Sequence, residues 1–454
     1  MGWSRSTAAA LIACWTVIAL VPIPLLAQEQ ATQADGLLFQ DVRVFTGTDT
    51  TLTPSQNVLV VGDRIHTVSP NTITPEPGLQ VTVIDGGGRT LMPGLIDAHW
   101  HSMLIAPDMP TAMTADAGYL NFLAGDVARQ TLMQGFTSVR DMGGPSFGLK
   151  RAIDSGLVPG PRIFPSGAMI SQTGGHGDFR MPHEVPRAAG DALSHAERMG
   201  VAMIADSPDV VRVRTREQLM LGATQIKLMA GGGVSSIYDP LDVTQYTVAE
   251  IRAAVEAAEN WGTYVAVHAY TSRAVRQAIE AGVKSIEHGQ LVDEDVVRLM
   301  AREGVWWSLQ PFLDDEDSNP KQGQARVKQL MVSTGTARAF ELARKHDVRV
   351  AFGTDILFNR AGLPRHAAQL AKLATWYSPG EVLRIATGNN GELLALSGER
   401  NSYPGRLGVI EEGAMADLLL VDGDPVANLR LIEDPERNFI VIVKDGRIVK
   451  NTME

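Results

Sequence analysis

The sequence predicts an α/β protein that combines a TIM (β/α)8 barrel with a small β-sandwich domain built from both chain ends. Eight apolar, strand-like runs alternate with amphipathic helical stretches along the middle of the chain, and this order over about 250 residues is typical of a TIM barrel. Short alternating runs bounded by turn residues occur at both ends, which indicates antiparallel β-structure there. The length of 454 residues also exceeds what one core ordinarily holds, so two domains are expected.

The predicted barrel strands are short apolar runs separated by helix-like segments, for example 248–260 and 272–281. Such runs, flanked by segments of helical periodicity, favour a parallel sheet. In chain order the strands are 95–99, 137–140, 162–169, 225–229, 264–268, 285–288, 305–310 and 349–353.

The two chain ends carry the residues predicted to form the sandwich. Runs at 42–45, 58–61 and 81–84 are separated by glycine-containing turns, and runs at 417–421 and 440–443 are followed by the turn at 444–447. This pattern is typical of strands joined by hairpins. We therefore expect the sandwich to comprise residues 28–93 and 405–454, with the barrel at 94–404.

The first 27 residues have the order of a secretory signal peptide. Arg5 precedes an apolar stretch at 8–26, and the small Ala27 is followed by polar residues. Two alternatives remain open, namely a single-span anchor and a lipoprotein modified at Cys14 within the LIAC sequence of residues 11–14. The preferred interpretation is cleavage after Ala27, with a periplasmic or secreted mature protein that has no stable membrane span.

Composition excludes several classes of protein. With 44% hydrophobic and 20% charged residues the chain is neither disordered nor fibrous. The formal net charge is -11 and no basic run stands out, which argues against nucleic acid as a partner. Cys14 is the only cysteine, so any metal would be held by histidine or carboxylate rather than by thiolates.

Histidine, lysine and aspartate recur where the predicted barrel strands end, which is the edge at which barrel enzymes carry their chemistry. His99 and His101 are two residues apart, so a strand projects both to one face, and neutral imidazoles suit zinc. The complete set is His99 and His101 after strand one, Lys227 on strand four, His268 after strand five, His288 after strand six and Asp355 after strand eight.

Each of these residues also has an ordinary structural interpretation. The His99 and His101 pair is compatible with surface polarity, and His268 with a hydrogen-bonded core histidine. Lys227 could extend its stem along apolar surface, and Asp355 could cap a helix. If these structural interpretations were correct, all of the residues would lie at strand ends on the same face of the barrel only by coincidence. The combination therefore favours a functional site.

Four segments resemble the motifs of the metal-dependent amidohydrolase superfamily. They are 91–101 (LMPGLIDAHWH), 286–289 (IEHG), 352–355 (FGTD) and 413–418 (GAMADL). The resemblance extends from about residue 37 to the C-terminus. Within the superfamily the sequence is most similar to the imidazolonepropionase-related group, which includes Xaa-Pro and Xaa-Lys/Arg dipeptidases and ochratoxin-hydrolysing amidohydrolases.

The resemblance implies a centre of two Zn²⁺ ions. His99, His101 and Asp355 would bind the more buried ion, and His268 and His288 the other. Lys227 would be carboxylated by carbon dioxide and bridge both ions. Two divalent cations would repel a lysine cation, whereas its carbamate is anionic and offers two hard oxygens.

The resemblance also implies the activity. We expect hydrolysis of the amide bond of N-acyl amino acids or dipeptides with release of the C-terminal residue, with ochratoxin A as a plausible substrate. Asp355 would serve as general base and then general acid. His176, in a glycine-rich loop after strand three, and Tyr238, after a glycine run following strand four, would contact the substrate near the scissile carbonyl. The relatives also imply a homo-oligomer, with octamers among them.

Several points stay open at this level. A cyclic-amide hydrolase of the imidazolonepropionase type is the alternative enzyme, and a metal-binding scaffold without catalysis is the alternative outside enzymes. Arg180 and Arg360 are two candidates for binding a substrate carboxylate. Trp306 and Trp307 are compatible with either a leaving-group pocket or the core.

Overall fold

The structure is a computed structural model that describes residues 36–187 and 191–453. The predicted signal peptide and the alternative lipidation site at Cys14 lie outside these residues. In the described part of the chain, no helix combines the length and the apolar character needed to cross a bilayer.

The strands of the described residues fall into end segments and central segments. In chain order they are β1 (Gly36–Phe45), β2 (Leu52–Val61), β3 (Arg64–Ser69), β4 (Val81–Asp85), β5 (Thr90–Pro93), β6 (Leu95–Trp100), β7 (Phe136–Asp141), β8 (Arg162–Pro165), β9 (Met169–Ser171), β10 (Ala202–Ile204), β11 (Ile226–Met229), β12 (Val265–Thr271), β13 (Ser285–Leu291), β14 (Trp306–Leu309), β15 (Val350–Phe352), β16 (Leu418–Val421), β17 (Phe439–Lys444) and β18 (Arg447–Asn451).

The α-helices lie mostly between the central strands. In chain order they are α1 (Met109–Thr114), α2 (Ala117–Met133), α3 (Phe147–Asp154), α4 (His195–Arg198), α5 (Pro208–Leu221), α6 (Val248–Glu259), α7 (Ser272–Glu280), α8 (Glu294–Glu303), α9 (Gly323–Lys345), α10 (His366–Ala371), α11 (Pro379–Arg384), α12 (Asn390–Ala395) and α13 (Pro435–Asn438).

Strands from the two chain ends form one mixed eight-stranded sheet. Its order is β18-β17-β16-β5-β1-β2-β3, with β4 paired to β1. The antiparallel pairing of β16 with β5, in which Leu419 lies opposite Met92, joins the C-terminal strands to the N-terminal ones. Phe39, Val58 and Val441 are fully buried in a shared apolar cluster. The expected union of both chain ends is therefore present, and its description as a two-layer sandwich stays a prediction.

The central strands form two parallel sheets, β6-β7-β8 and β10-β9-β11-β12-β13-β14-β15. All eight predicted strands are present, but the predicted strand 162–169 is divided into β8 and β9. Gly167 interrupts it with a φ of +71°, and a Cβ there would lie 2.4 Å from Gln218 Oε1. The short edge strand β10 was not predicted because three residues give too little periodicity.

The two parallel sheets contact each other at two places. The Asp355 N–H donates to the His99 carbonyl over 2.9 Å, next to β15 and β6, and the Thr224 N–H donates to the Pro165 carbonyl over 2.8 Å. Because the pairing is parallel throughout, the carboxyl ends of β6, β11, β12, β13 and β15 lie on one side. That side is where the predicted site residues are found.

Helices pack against these sheets. In α6, Thr247 and Glu250 form a capping box, and Ile251, Ala254 and Ala258 bury one face. The i, i+3, i+7 spacing of these residues is the reason one stripe of the helix faces the sheet. Complete burial of a side chain such as Ile251 contributes about 1.5–3 kcal/mol, so the strands are held by an extensive apolar layer.

Candidate active site and metal centre

The carboxyl ends of the parallel strands bring the predicted ligands together. His99, His288 and Asp355 each offer one ligand atom, and these atoms all lie within 4.8 Å of one another. The ring of His101 is centred 5.4 Å from that of His99, and the ring of His268 is centred 4.5 Å from that of His288. Nitrogen and carboxylate donors clustered in this way suit a divalent metal such as zinc.

Asp355 is the anion at the centre of this cluster. Its Oδ1 lies 3.1 Å from His101 Nε2 and 3.4 Å from His99 Nε2. Burial alone would raise the pKa of Asp355, but the neighbouring His99, His101 and His288 outweigh it and hold that pKa far below its usual range. The carboxylate is therefore charged at all ordinary pH values and available as a ligand or a proton acceptor.

The four histidines each bond one ring nitrogen to a protein oxygen outside the cluster. An oxygen acceptor requires that nitrogen to carry the proton, so the other nitrogen of His99, His268 and His288 keeps its lone pair, whereas the other nitrogen of His101 is bonded to Asp355. The bonded pairs are His99 Nδ1 with Glu287 Oε2 at 2.8 Å, His101 Nδ1 with the Gly143 carbonyl at 3.1 Å, His268 Nε2 with the Gly232 carbonyl at 3.1 Å, and His288 Nδ1 with Gln310 Oε1 at 2.8 Å.

Burial keeps three of these imidazoles neutral. It is the main cause that lowers the pKa of His99, His268 and His288. The pKa of His101 is raised instead, because its hydrogen bond and charge interaction with Asp355 outweigh burial. Neutral imidazoles are the form that binds metal, so three of the four histidines are already in that form.

Lys227 is buried in the same cluster without a direct partner. Its side chain is 1% exposed, and in the described ranges it has neither a hydrogen bond nor an ion pair. Burial lowers the pKa of Lys227 to about 8, against the opposing effect of Glu287 and Asp355. A buried amine left unpaired among five ligand groups is compatible with modification to an anionic ligand.

Two of the cluster residues have left-handed backbone conformations. The φ angles of His288 and Asp355 are 78° and 52°. This region is disfavoured for residues other than glycine and costs about 1–3 kcal/mol per residue. Such conformations concentrate at functional sites, where the surrounding structure imposes them.

His176 lies at the edge of the cluster. Its ring stacks on that of His268 with centroids 4.1 Å apart, and its Nδ1 lies 2.9 Å from Ser236 Oγ. Burial lowers the pKa of His176 to about 4. The ring lines the cavity above the ligands, so the structure brings it to the predicted site.

Tyr238 has a different location from the one expected. Its hydroxyl donates to the Arg180 carbonyl over 2.7 Å, the residue is 42% exposed, and it is not among the residues that line the cavity. The structure thus does not bring Tyr238 to the ligand cluster, and its contact with substrate stays a prediction.

Tyr270 was missed by the sequence analysis. It lines the cavity, and its ring is centred 5.0 Å from both His268 and His288. Burial raises the pKa of Tyr270 well above its usual value, so its hydroxyl stays protonated and can donate a hydrogen bond. The sequence did contain a signal for Tyr270: it lies two residues after His268 on the same strand, and residues with that spacing project to the same face.

The cavity over the cluster has a volume of about 170 Å³ and largely apolar walls. Neither arginine proposed as a carboxylate clamp lines it: Arg180 is paired with Asp178 at 2.6 Å and Arg360 with Asp126 at 2.6 Å. Trp306 and Trp307 are buried and do not line it either. The apolar walls come from residues such as Leu104, Met169, Phe179, Phe312, Leu313, Val332, Leu357 and Phe358.

Residues 90–453 match the Amidohydrolase family, so the chain belongs to this family and is a hydrolase that acts on amide bonds. Ochratoxinase of Aspergillus niger is 30% identical over 416 residues, which cover 86% of this chain and 82% of that protein. The crystal structure of a prolidase complexed with N-methylphosphonate-L-proline is similar with a TM-score of 0.82 and 34% identity, over 92% of this chain and 100% of that one. A Xaa-Pro dipeptidase with bound methionine has a TM-score of 0.78 and 28% identity, over 92% and 100%.

Proposed function

We propose that the protein is an exported binuclear zinc amidohydrolase that cleaves the amide bond of N-acyl amino acids or dipeptides and releases the C-terminal amino acid. The observation that carries the proposal is the convergence of four histidines, Asp355 and the unpaired Lys227 on one buried cluster. A protein that needed these residues only for stability would not leave a buried lysine without a partner.

The donor set divides into two metal positions. We assign His99, His101 and Asp355 to one ion, and His268 and His288 to the other. Lys227 would bridge them as a carbamate, formed when its amine nitrogen bonds to the carbon of carbon dioxide and loses a proton to water. The product is an anion with two oxygens, which suits a pair of divalent cations.

Bound zinc would supply a Lewis acid and a water of lowered pKa. The chain's own residues would do the rest. Asp355 would accept the proton of the attacking water and deliver it to the leaving nitrogen. Tyr270 and His176, which line the cavity beside His268, would donate hydrogen bonds to the carbonyl oxygen as negative charge develops on it.

The substrate class follows from the cavity and the relatives together. Part of the wall above the ligands is apolar, which favours an apolar acyl group or side chain. Proteins similar to this chain are an ochratoxinase, a prolidase and a Xaa-Pro dipeptidase. An acyl amino acid or dipeptide with a bulky apolar portion is the class that these features have in common, and ochratoxin A is a plausible member.

The test is a substrate panel with the mature chain from residue 28, reconstituted with zinc and bicarbonate. The panel contains N-acetyl-Phe, N-acetyl-Pro, N-acetyl-Arg, ochratoxin A and imidazolonepropionate. The proposal is supported if the protein hydrolyses acyl amino acids and Asp355→Asn abolishes this activity. The control is Asp295→Asn, a substitution of an exposed residue of α8, which should leave the activity unchanged. Turnover of imidazolonepropionate alone would replace the proposal with a cyclic-amide hydrolase.

Lys227→Met tests the bridging ligand separately. Methionine preserves the buried apolar stem but cannot form a carbamate, so we expect the variant to fold and to lose bound zinc and activity together. The measurement is zinc content per chain after dialysis, beside the melting temperature. A variant that keeps two zinc ions would contradict the assignment of Lys227.

Two structural proposals accompany the function. The backbone hydrogen bonds from Asp355 to His99 and from Thr224 to Pro165 support closure of the two parallel sheets into one (β/α)8 barrel. Export follows the sequence pattern of residues 1–27, and the N-terminal sequence of the protein recovered from its producing cells would test it. Cleavage after Ala27 is the expected result, whereas a retained or lipidated Cys14 would contradict it.

A further inference from the structure

Apart from Lys227 in the ligand cluster, the cavity is lined by a second lysine ammonium that the described residues do not neutralise. Lys321 lines the cavity from the segment between β14 and α9. Within residues 36–187 and 191–453, its side chain has neither an ion pair nor a hydrogen bond. The nearby Lys372, by contrast, is paired with Asp315 at 2.7 Å and with Asp317 at 2.9 Å.

The backbone around Lys321 is held in place. Its N–H donates to Gln329 Oε1 over 3.0 Å, and Gln329 Nε2 donates to the Ser318 carbonyl over 2.8 Å. Asp317, earlier in the same segment, is bonded to Arg365 at 2.9 Å. The segment is thereby bonded to α9 and to Arg365, the residue before α10, and it presents the side chain of Lys321 to the cavity.

The surroundings of Lys321 favour an anionic ligand. The residue is half-buried, and burial lowers its pKa, with the Asp355 carboxylate opposing that change. A cation partly removed from water without a counterion is stabilised by an anion that enters beside it. The acidic residues Asp315 and Asp317 do not repel such an anion strongly, because Lys372 is paired with both and Arg365 is also paired with Asp317.

We propose that Lys321 binds the α-carboxylate of the amino acid that leaves, and so makes the enzyme selective for amides with a free C-terminal carboxylate. The inference rests on the proposed function and adds the group that recognises the leaving residue. The ligand cluster holds one end of the substrate, the apolar walls contact its middle, and the Lys321 ammonium pairs with the carboxylate. This role replaces the arginines considered from the sequence, both of which are engaged elsewhere.

Three amides distinguish recognition of a carboxylate on the leaving side of the substrate from recognition of one on the acyl side. N-acetyl-L-phenylalanine carries it on the leaving side, N-acetyl-phenethylamine lacks it, and N-succinyl-phenethylamine carries it on the acyl side. We expect Lys321→Met to lower kcat/KM for N-acetyl-L-phenylalanine by about 10- to 100-fold, the range for loss of a charged hydrogen bond, chiefly through KM. Turnover of N-acetyl-phenethylamine should be unchanged, and Lys321→Arg should restore much of the loss.

The matched control is Lys284→Met, since Lys284 is exposed and outside the cavity. If wild type and Lys321→Met prefer N-acetyl-L-phenylalanine over N-acetyl-phenethylamine by the same ratio of kcat/KM, the role of Lys321 is overturned. The assignment of the protein as an amidohydrolase would be unaffected. A selective loss on N-succinyl-phenethylamine would also overturn it, because the lysine would then recognise the acyl side.

Binding of a tetrahedral analogue tests Lys321 even if none of the three amides is hydrolysed. N-methylphosphonyl-L-phenylalanine and its phenethylamine counterpart share the phosphonyl group and differ only in the carboxylate. Calorimetry on the zinc-loaded protein should show that Lys321→Met weakens the first by about 10-fold or more and leaves the second unchanged. Equal weakening of both, or of neither, would contradict the proposal, whereas failure of turnover alone would count against the proposed function.

Discussion

Glu287 connects His99 to Arg140 inside the parallel sheets. Its carboxylate accepts from His99 Nδ1 at 2.8 Å and from the Arg140 guanidinium at 2.7 and 2.8 Å, and all three side chains are buried. Arg140 also donates to the Ala98 carbonyl over 2.6 Å. The arrangement fixes the ring of His99 and leaves its Nε2 directed at Asp355, so the residue that we propose as a metal ligand is positioned by a charge pair behind it.

The first prediction concerns Glu287→Gln. The variant keeps the shape of the side chain but leaves Arg140 as a buried cation without a full counter-charge, which should lower the free energy of unfolding by about 3 kcal/mol. Loss of the carboxylate behind His99 should weaken zinc binding by about 10- to 100-fold. Chelator competition and urea unfolding measure these effects, with the exposed Glu280→Gln as control. Unaltered zinc affinity would contradict a positioning role for Glu287.

The second prediction compares two tyrosines by the same substitution. Tyr270 lines the cavity between His268 and His288, whereas the hydroxyl of Tyr238 is bonded to the Arg180 carbonyl. Tyr270→Phe should lower kcat by about 100-fold, as expected for loss of a donor to the reacting carbonyl, and Tyr238→Phe should change it little. Steady-state kinetics on the best substrate of the panel measures both effects. A larger fall in kcat for Tyr238→Phe than for Tyr270→Phe would support the substrate contact of Tyr238 that was expected from the sequence.

The ligand cluster could be located from sequence because its members follow a simple rule. All except Lys227, which lies within its strand, are at or just after the end of an apolar run, and parallel strands bring such ends to one edge. His99 and His101 needed only the two-residue period of a strand. The same period, applied after His268, would also have selected Tyr270. The position of a side chain on a strand is thus encoded locally, and that is why this part of the site was predictable.

Loop residues were not predictable on the same basis. Tyr238 and Arg180 bond to groups that only the folded loops bring near them, and Lys321 is distinguished by the absence of a partner among the described residues, which no sequence pattern reveals. The division of strand 162–169 had a visible cause in Gly167, yet its apolar neighbours concealed the break. Tertiary contacts decide these positions, so sequence periodicity carries little information about them.

The third prediction concerns stability in acid. Glu197 is buried and bonded to Arg187, to the Ser194 N–H at 2.8 Å and to the Ile204 N–H. Burial raises the pKa of Glu197, but these hydrogen bonds outweigh it and lower that pKa to about 2, from 4.5. Because the folded-state pKa is depressed, the stabilisation is complete above pH 4.5 and is lost as the pH falls toward 2.

Glu197→Gln checks this pH dependence. The difference in unfolding free energy between wild type and variant should be largest near neutral pH and should shrink as the pH falls below 4.5. Urea unfolding at several pH values measures it, and Glu217→Gln, a substitution on a less buried glutamate of α5, serves as comparison. A difference that stays constant with pH would show that the charge of Glu197 contributes nothing to stability.

The fourth prediction concerns the contact between β15 and β6. A Cβ on Gly353 would lie 2.4 Å from the Cβ and 2.6 Å from the backbone nitrogen of His99. Gly353→Ala must therefore push the two strands apart, which displaces His99 and, two residues along the chain, Asp355. Overpacking of this kind costs about 1–3 kcal/mol, and a displacement of about 1 Å at reacting groups costs about 100-fold in rate.

Zinc content and kcat of Gly353→Ala, beside its melting temperature, measure this prediction. The control is Gly148→Ala, since a Cβ on Gly148 meets nothing within 4 Å and its backbone suits any residue. We expect the control to keep full activity, and Gly353→Ala to lose rate far beyond its loss of stability. Normal kcat in Gly353→Ala would mean that β15 and β6 can separate without disturbing the ligands, and the close packing of Gly353 on His99 would then have no part in positioning the site.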